Sequence, residues 1–295
     1  QGQAVLLMLP QLVVSGVANG MLYALIALSM TLVYRATTVL NFGHGDMVTA
    51  GAYAAFVLVG AGLPFTVAWL MSFALLFALG FLVDRFLMRP IGGGPHLALA
   101  TMALAVGYAL RGAERLRWGS ETLNIARPYP QGAFTLGGVI ITSDALAMTG
   151  AVLVLLVLLL ILFQATPLGR IIRAVFQSER GAALVGINVP LFHGVMWGAG
   201  AALGSAGGVL LAVVVPLTPD MGEWVLVRGF AAMTLGGFGS LPGAVIGGVA
   251  LGVAEEVLGF YVGTVFIQIT AYVVTILVLL IRPQGLFGKP ALARV

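Results

Sequence analysis

The chain has 295 residues, of which 60% are hydrophobic and only 8% are charged, and its mean hydropathy is +1.10. A soluble domain carries about 25% charged residues, so this composition excludes a soluble globule and a disordered chain, and it predicts that lipid is the solvent. The formal net charge is +4. Because the basic residues are scattered along short loops, they indicate membrane topology rather than a nucleic-acid-binding surface.

Long apolar segments occur along the whole chain, and a membrane-spanning helix needs about 20 such residues. The clearest segments are 145–163 and 264–281, which contain no charged residue. Segment 225–237 is short, contains Arg228 and ends in glycines, so it is a candidate re-entrant segment. The sequence predicts an all-α polytopic membrane protein with about eight or nine transmembrane helices, including one or two broken or re-entrant segments. The other predicted spans are 5–34, 47–62, 64–83, 97–110, 190–215 and 243–257.

The distribution of charge predicts the orientation of these spans. The first charged residue is Arg35, so the first span lacks the basic start of a signal peptide, and we place its beginning outside. The basic residues then concentrate on the cytoplasmic side, as the positive-inside rule requires, although the arginines between 111 and 127 run against it. Residues 1–295 are predicted to form one transmembrane domain. Its predicted cytoplasmic regions are 35–46, 84–96, the loop at about 164–189 and the C-terminal tail, and its outer loop is at about 112–144.

Two segments combine glycine with polar residues inside apolar sequence, and they lie in opposite halves of the chain. The first is Asn41-Phe-Gly-His-Gly45 followed by Asp46, and the second runs from 235 to 243. Paired, glycine-interrupted segments are typical of transporters, where unwound backbone lines a cavity. Ordinary cytoplasmic turns are the alternative. We expect Asp46 to cap the following helix and the two glycines of the first segment to allow positive φ angles.

The loop at 164–189 has the pattern of a short cytoplasmic helix. Arg170 and Arg173 share a helix face at the level of the lipid headgroups, Ser178 is a helix-capping residue, and Gly186 is a typical helix stop. Such a helix, tied to the membrane at both ends, suits docking onto a partner protein. An amphipathic turn that rests on anionic lipid is an equal alternative.

The remaining charges give few candidates for chemistry. Arg228 is the charge placed clearly inside a span, without an evident acidic partner, which disfavours proton coupling. Four acids on the predicted outer face are candidates for steering the approach of a partner protein, with solvated loop charges as the alternative; they are Asp220, Glu223, Glu255 and Glu256.

Several kinds of functional site are excluded by the residues present. The chain has no cysteine, its three histidines are far apart, and its one lysine is not in a phosphate-binding loop. We therefore predict no catalytic residue, no metal site and no cofactor in this chain. Any ATP that energises it must bind another polypeptide.

Six stretches together resemble the H-type permease of branched-chain amino acid ATP-binding-cassette (ABC) importers, in the order of that family. They are 19–25, 41–45, 50–53, 168–170 with 182–188, 236–244 with 247–248, and 282–288. Two positions depart from the family pattern, which usually has alanine where Gly43 stands and glutamate where Asp46 stands.

The resemblance implies a non-enzymatic permease subunit in a bacterial inner membrane. It implies four partners: a second related permease, two cytoplasmic ATPase subunits that bind ATP and Mg²⁺, and a periplasmic substrate-binding protein. The implied solute is a branched-chain or hydrophobic amino acid, although relatives carry urea, short amides or aromatic acids. An ion-gradient-driven secondary transporter or channel is the alternative, and a membrane enzyme lacks any candidate constellation.

The resemblance also suggests roles for particular residues. Segment 177–188 looks like the helix that couples a permease to its ATPase, with the contacts assigned to Gln177, Ser178, Glu179, Arg180, Ala183, Gly186 and Ile187. The predicted substrate-path and gating residues are Asn19, Tyr23, Asn41, Phe42, Gly43, His44, Gly45, Gly236, Gly237 and Gly239.

Overall fold

The structure is a computed structural model that describes residues 8–92 and 94–288. Residues 5–7 of the first predicted span and the predicted basic tail from Lys289 lie outside the described residues. The chain is mostly helical, and a π-helical stretch, Asp84–Met88, continues α3 into α4. The helices are α1 (Leu9–Thr37), α2 (His44–Gly60), α3 (Phe65–Val83), α4 (Arg89–Ile91), α5 (His96–Trp118), α6 (Ser143–Ala165), α7 (Pro167–Gln177), α8 (Glu179–Leu184), α9 (Val189–Val214), α10 (Met221–Gly236), α11 (Leu241–Tyr261) and α12 (Val265–Ile281).

Within the described residues, five helices are long and apolar enough to cross a membrane. They are α1, α3 with its continuation to Ile91, α6, α9 and α11, and α12 is a shorter apolar helix. Helix α6 is the most apolar of the five and the least buried, as expected of a helix that faces lipid. The chain is therefore a polytopic helical protein, and the count of eight or nine spans stays a prediction.

A β-hairpin corrects the all-α expectation for the predicted outer loop at 112–144. Strands β1 (Ala133–Leu136) and β2 (Val139–Thr142) pair antiparallel. Gly137 and Gly138 between them have φ angles of +59° and +85°, the backbone that a two-residue hairpin turn requires and glycine provides. The side-chain amide of Gln11 both donates to and accepts from the backbone of Ile140, at 2.9 and 2.7 Å. This part of the chain is thus tied to α1.

Contacts within the chain define two compact units. Unit 1 contains the chain up to Thr31, Arg127–Gly150 and the chain from Trp224 onward. Unit 2 contains Leu32–Ala126 and Ala151–Glu223. The single transmembrane domain predicted for residues 1–295 stays a prediction.

Unit 2 is built around α9, which packs against α2 and α3 through glycine. A Cβ atom on Gly208 would lie 2.3 Å from the carbonyl oxygen of Val48 in α2, and one on Gly80 of α3 would lie 2.5 Å from the carbonyl oxygen of Trp197. Such backbone-to-backbone contact leaves no room for a side chain. Glycine therefore allows the close packing that substitutes for hydrophobic association in lipid.

Unit 1 uses the same device between α1 and α11. A Cβ atom on Gly248 would lie 2.3 Å from the backbone nitrogen of Ala24, and one on Gly252 would lie 2.4 Å from the carbonyl oxygen of Gly16. The two helices therefore touch along their small residues, which brings the polar side chains of α1 close to those of α11.

Candidate functional site

The first predicted break is present in unit 2. Helix α1 ends at Thr37, residues 38–43 are not helical, and α2 begins at His44. The side-chain oxygen of Asn41 accepts a hydrogen bond from the backbone N–H of Gly43 at 3.1 Å, so an asparagine supplies a bond that the helix would otherwise make.

The glycines of this break have a different purpose from the one expected. Gly43 has a φ angle of −85°, and Gly45 lies inside α2 without a positive φ, so the expectation of positive φ angles is wrong. A Cβ atom on Gly43 would lie 2.2 Å from the carbonyl oxygen of Ala103 in α5. Gly43 therefore provides space rather than a positive φ angle, because the break lies directly on the backbone of α5.

The prediction that Asp46 caps α2 is wrong, because Asp46 forms a buried ion pair instead. Its carboxylate accepts a hydrogen bond from the side chain of Arg111 at 2.8 Å, and the two side chains are only 5% and 11% exposed. Position Asp46 is still in the first turn of α2, where a negative charge complements the positive end of the helix dipole.

This ion pair contradicts one part of the predicted topology. Asp46 was assigned to the cytoplasmic side and Arg111 to the outer side, but the two residues are in contact. The physical reason is that α2 starts beside Gly107, in the middle of α5. Helix α5 itself continues to Trp118, beyond the end predicted at 110.

The charged cluster extends to the start of α10. Arg111 also pairs with Glu223, and Arg115 pairs with Asp220 at 2.5 Å. Asp220 and Glu223 were predicted to be solvated or to steer a partner, and they are half exposed or more, but both are held by arginines. A Cβ atom on Gly222 would lie 2.5 Å from the carbonyl oxygen of Gly45. The first turn of α10 thus meets the first turn of α2.

Among the other predicted path residues of unit 2, some side chains are buried and one is exposed. His44 is fully buried, and a Cβ atom on Gly204 of α9 would lie 2.9 Å from its Nε2 atom. Asn41 is buried, with its amide 3.6 Å from the sulfur of Met47. Phe42 is exposed. The structure brings these residues together around one break, and their role in gating stays a prediction.

A second polar cluster lies in unit 1, on the two path residues predicted in α1. Asn19 donates a hydrogen bond to Glu256 at 2.8 Å, and Tyr23 donates one to Glu255 at 2.9 Å. Asn19 and Tyr23 are four residues apart on one helix face, and their acceptors are two consecutive glutamates in the C-terminal half of α11. The polar face of α1 therefore has a matching acidic face.

Arg228 completes this second cluster. Its Nε atom is 3.1 Å from the carboxylate of Glu255, and it also donates to the carbonyl oxygen of Ile267 at 3.2 Å. Its guanidinium lies over the rings of Tyr23 and Trp224. The expectation that Arg228 has no acidic partner is wrong, and so is the expectation of Glu255 as an outer-face acid, since it is 3% exposed. Sequence reasoning missed the pair because it joins two helices, although the charge of Arg228 called for a nearby acid.

The second predicted break is also present, and it lies in unit 1. Helix α10 ends at Gly236 and α11 begins at Leu241, and Gly237 and Gly239 have φ angles of +103° and +78°. The side chain of Ser240 caps α11. The segment after α12 folds onto this break, since Leu286 and Phe287 donate backbone hydrogen bonds to residues 235 and 236 at 2.9 and 3.0 Å. The unwound backbone is thus paired with a neighbouring loop.

The predicted cytoplasmic helix is α8, in unit 2. Ser178 caps it by accepting a hydrogen bond from the backbone of Gly181 at 3.1 Å, and the helix stops before Gly186, whose φ angle is +88°. Both local predictions are confirmed. Leu184 and Val185 at its end are 88% and 77% exposed. Glu179 at its start is 3.4 Å from His193 of α9, so a polar contact joins it to the next long helix.

The fold and these clusters define a class of protein: a polytopic helical membrane protein with broken helices and buried charged side chains, as transport proteins have. Residues 12–282 match the family described as the permease component of branched-chain amino acid transport systems. The chain belongs to this family, and its role is that of a permease.

Relatives along the full length agree. The chain is 30% identical to the high-affinity branched-chain amino acid transport system permease protein BraD of Pseudomonas aeruginosa, covering 97% of each chain. It is 30% identical to LivH of Escherichia coli K12, over 95% of this chain and 96% of LivH. It is 26% identical to a probable LivH of Methanocaldococcus jannaschii, over 90% and 89%.

One solved structure has a similar fold. A chain in the structure titled "PsaBC from Streptococcus pneumoniae in complex with Fab" is 17% identical, with a TM-score of 0.50, and the match covers 92% of this chain and 91% of that chain. At this identity the similarity concerns the fold alone.

Proposed function

We propose that this permease is a subunit of an ATP-driven importer of branched-chain or other hydrophobic amino acids. The observation that carries the proposal is the family match over residues 12–282, which includes both breaks and α8. The family description and the names of the relatives supply the solute class. Urea, short amides and aromatic acids are the competing solutes.

The proposed assembly has four partners in a bacterial inner membrane. A second related permease completes the translocation path, two cytoplasmic ATPase subunits bind ATP and Mg²⁺, and a periplasmic binding protein delivers the solute. This chain binds no cofactor and makes no covalent bond in the proposed cycle. Its work is mechanical: ATP binding and hydrolysis on the partners change the packing of its helices.

The two breaks are the proposed moving parts. At each break a helix starts or ends inside the fold beside a neighbouring backbone, as at Gly43 against α5 and at Gly236 against Gly243. Such joints concentrate a change of backbone angle in a few residues. We assign the gating and substrate-path role to the residues predicted from the sequence at these joints, together with Asn19 and Tyr23.

We further propose that α8 docks onto the ATPase. Two observations support this proposal. The apolar side chains of Leu184 and Val185 at the end of α8 are exposed, and α8 is capped at both ends. Apolar side chains presented on a short rigid helix are suited to a groove on a partner. On this assignment, the docking residues are Gln177, Ser178, Glu179, Arg180, Ala183, Gly186 and Ile187.

Substituting Gly186 tests the coupling role. The position has a φ angle of +88°, while no described atom lies within 4 Å of a Cβ built there. Valine should therefore strain only the backbone and displace Leu184 and Val185. We expect Gly186→Val to abolish the stimulation of ATP hydrolysis by the loaded binding protein at normal membrane levels of the permease. Gly186→Asn is the matched control, because asparagine tolerates the left-handed region.

The proposed function is tested by uptake into proteoliposomes that contain the complete complex. We expect radiolabelled leucine to accumulate only with ATP inside and the binding protein outside, with no loss when an ionophore removes the proton gradient. Uptake that continues without ATP and follows a pH gradient would instead establish a secondary transporter. Uptake of urea, acetamide or benzoate in preference to leucine would change the solute and keep the transporter class.

A further inference from the structure

A buried carboxyl group in unit 2 has no partner. Glu114 of α5 is 5% exposed, both of its carboxylate oxygens are fully buried, and neither has a hydrogen-bond partner among the described residues. The hydroxyl of Tyr53 in α2 is in the same state, in a residue that is 2% exposed. Buried polar groups are almost always paired, so each exception requires an explanation.

The two orphaned groups belong to one place in the fold. Helices α2 and α5 run side by side in the same direction, because Asp46 contacts Arg111 and, seven residues further along each helix, the ring of Tyr53 lies 4.7 Å from that of Trp118. Glu114 lies between these two levels, on the same face of α5.

The arginines around Glu114 interact with other groups. Arg111, three residues before Glu114 on α5, is paired with Asp46, Glu223 and Asp220. Arg115 is paired with Asp220, and Arg117 lies over the ring of Trp118. The cluster therefore has more carboxylates than guanidinium groups available to them. A buried, unpaired carboxylate is costly, so this site favours a further cation.

We propose that Glu114 and Tyr53 bind the primary ammonium group of the amino acid in transit, an inference that rests on the proposed function. An ammonium group has three N–H donors, and the two oxygens of Glu114 with the hydroxyl of Tyr53 offer three acceptors. Of the two charges of a zwitterionic solute, this site recognises the positive one.

The test separates the two charges of leucine. The full-length chain with its partner permease is placed in lipid nanodiscs without the binding protein, which has its own specificity. Binding is followed by the shift in unfolding temperature on titration with 3-methylbutylamine, which keeps the ammonium group, or 4-methylpentanoate, which keeps the carboxylate. We expect the amine to bind. Glu114→Gln should weaken its binding by about tenfold to a hundredfold and leave the acid unaffected, because a charge-assisted hydrogen bond is lost.

The controls decide whether the site is specific. Glu121→Gln changes an exposed glutamate seven residues further on and should leave amine binding unchanged, whereas Tyr53→Phe should weaken it by a smaller factor. The unfolding temperature without ligand shows that each variant is folded. Equal amine binding by Glu114→Gln and the unchanged chain would overturn the proposal, because the carboxyl group would then be held protonated.

Three further outcomes have distinct meanings. Stabilisation by Na⁺ relative to N-methylglucamine, lost in Glu114→Gln, would replace the ammonium ligand with an inorganic cation and overturn the proposal. Glu114-dependent amine binding without leucine uptake by the complete transporter would support the ammonium site and contradict the proposed solute. Normal leucine uptake with Glu114-independent amine binding would remove this inference alone.

Discussion

Alanine at Gly107 should eliminate transport, because its methyl group would separate α2 from α5 at the break. A Cβ atom on Gly43 would lie 2.2 Å from the carbonyl oxygen of Ala103, and one on Gly107 would lie 2.3 Å from the carboxylate of Asp46 and 2.8 Å from the Cα atom of Gly43. Much of this contact is with backbone, which cannot change rotamer. Overpacking typically costs about 1–3 kcal/mol, and here it also breaks the geometry of the Asp46–Arg111 pair.

Gly112→Ala is the matched control for this prediction. It lies in the same helix as Gly107, and no described atom lies within 4 Å of a Cβ built there. We expect leucine uptake to fall to background in Gly107→Ala and to remain normal in the control, with the membrane level of each measured by immunoblotting. Uptake by Gly107→Ala equal to that of Gly112→Ala would contradict the proposed joint between α2 and α5.

Local features of the fold could be read from the sequence because they depend on neighbouring residues. Both breaks were predicted from glycines next to polar residues, and the structure has non-helical backbone at 38–43 and 237–240. The cap at Ser178 and the stop at Gly186 depend on positions within one turn of a helix, and both predictions are confirmed. The Gly137–Gly138 hairpin had an equally local signal, a glycine pair between two short runs of residues. Its strands of four residues each are too short to resemble membrane spans.

Features that depend on tertiary contact were not predicted. Asp46 and Arg111 are 65 residues apart, and no periodicity in either segment indicates that they meet. The orientation rule assumes that each apolar segment crosses the membrane once, and it fails where α2 begins beside the middle of α5. The buried state of Glu255 has the same origin, since its partners come from α1 and α10.

Removing one charge from the Arg228–Glu255 pair should destabilise unit 1 more than removing both. Arg228→Met leaves Glu255, which is 3% exposed, with only Tyr23 as a hydrogen-bond donor, and Glu255→Met leaves a buried guanidinium. Loss of one partner from a buried ion pair costs about 3–5 kcal/mol because the remaining charge stays desolvated. We expect each single variant to lower the unfolding temperature strongly and to reduce the membrane level of the permease.

The double variant Arg228→Met with Glu255→Met then separates stability from function. Replacing both charges with apolar side chains of similar length is often neutral for stability, so we expect the unfolding temperature to recover. The pair Arg127–Asp144, with side chains 32% and 25% exposed, is the matched control in the same unit, and Arg127→Met should have a small effect because partly solvated pairs contribute little.

Leucine uptake by the double variant shows what the pair does. Tyr23 donates a hydrogen bond to Glu255, and Asn19 donates one to the neighbouring Glu256. If this cluster lies in the substrate path, its charges contact the solute, and the stable double variant should be inactive. Stable protein with normal uptake would instead assign the cluster to holding α1, α10 and α11 together. The unfolding temperature and the uptake rate, measured on the same four proteins, distinguish these roles because a purely structural pair cannot lower uptake while stability is restored.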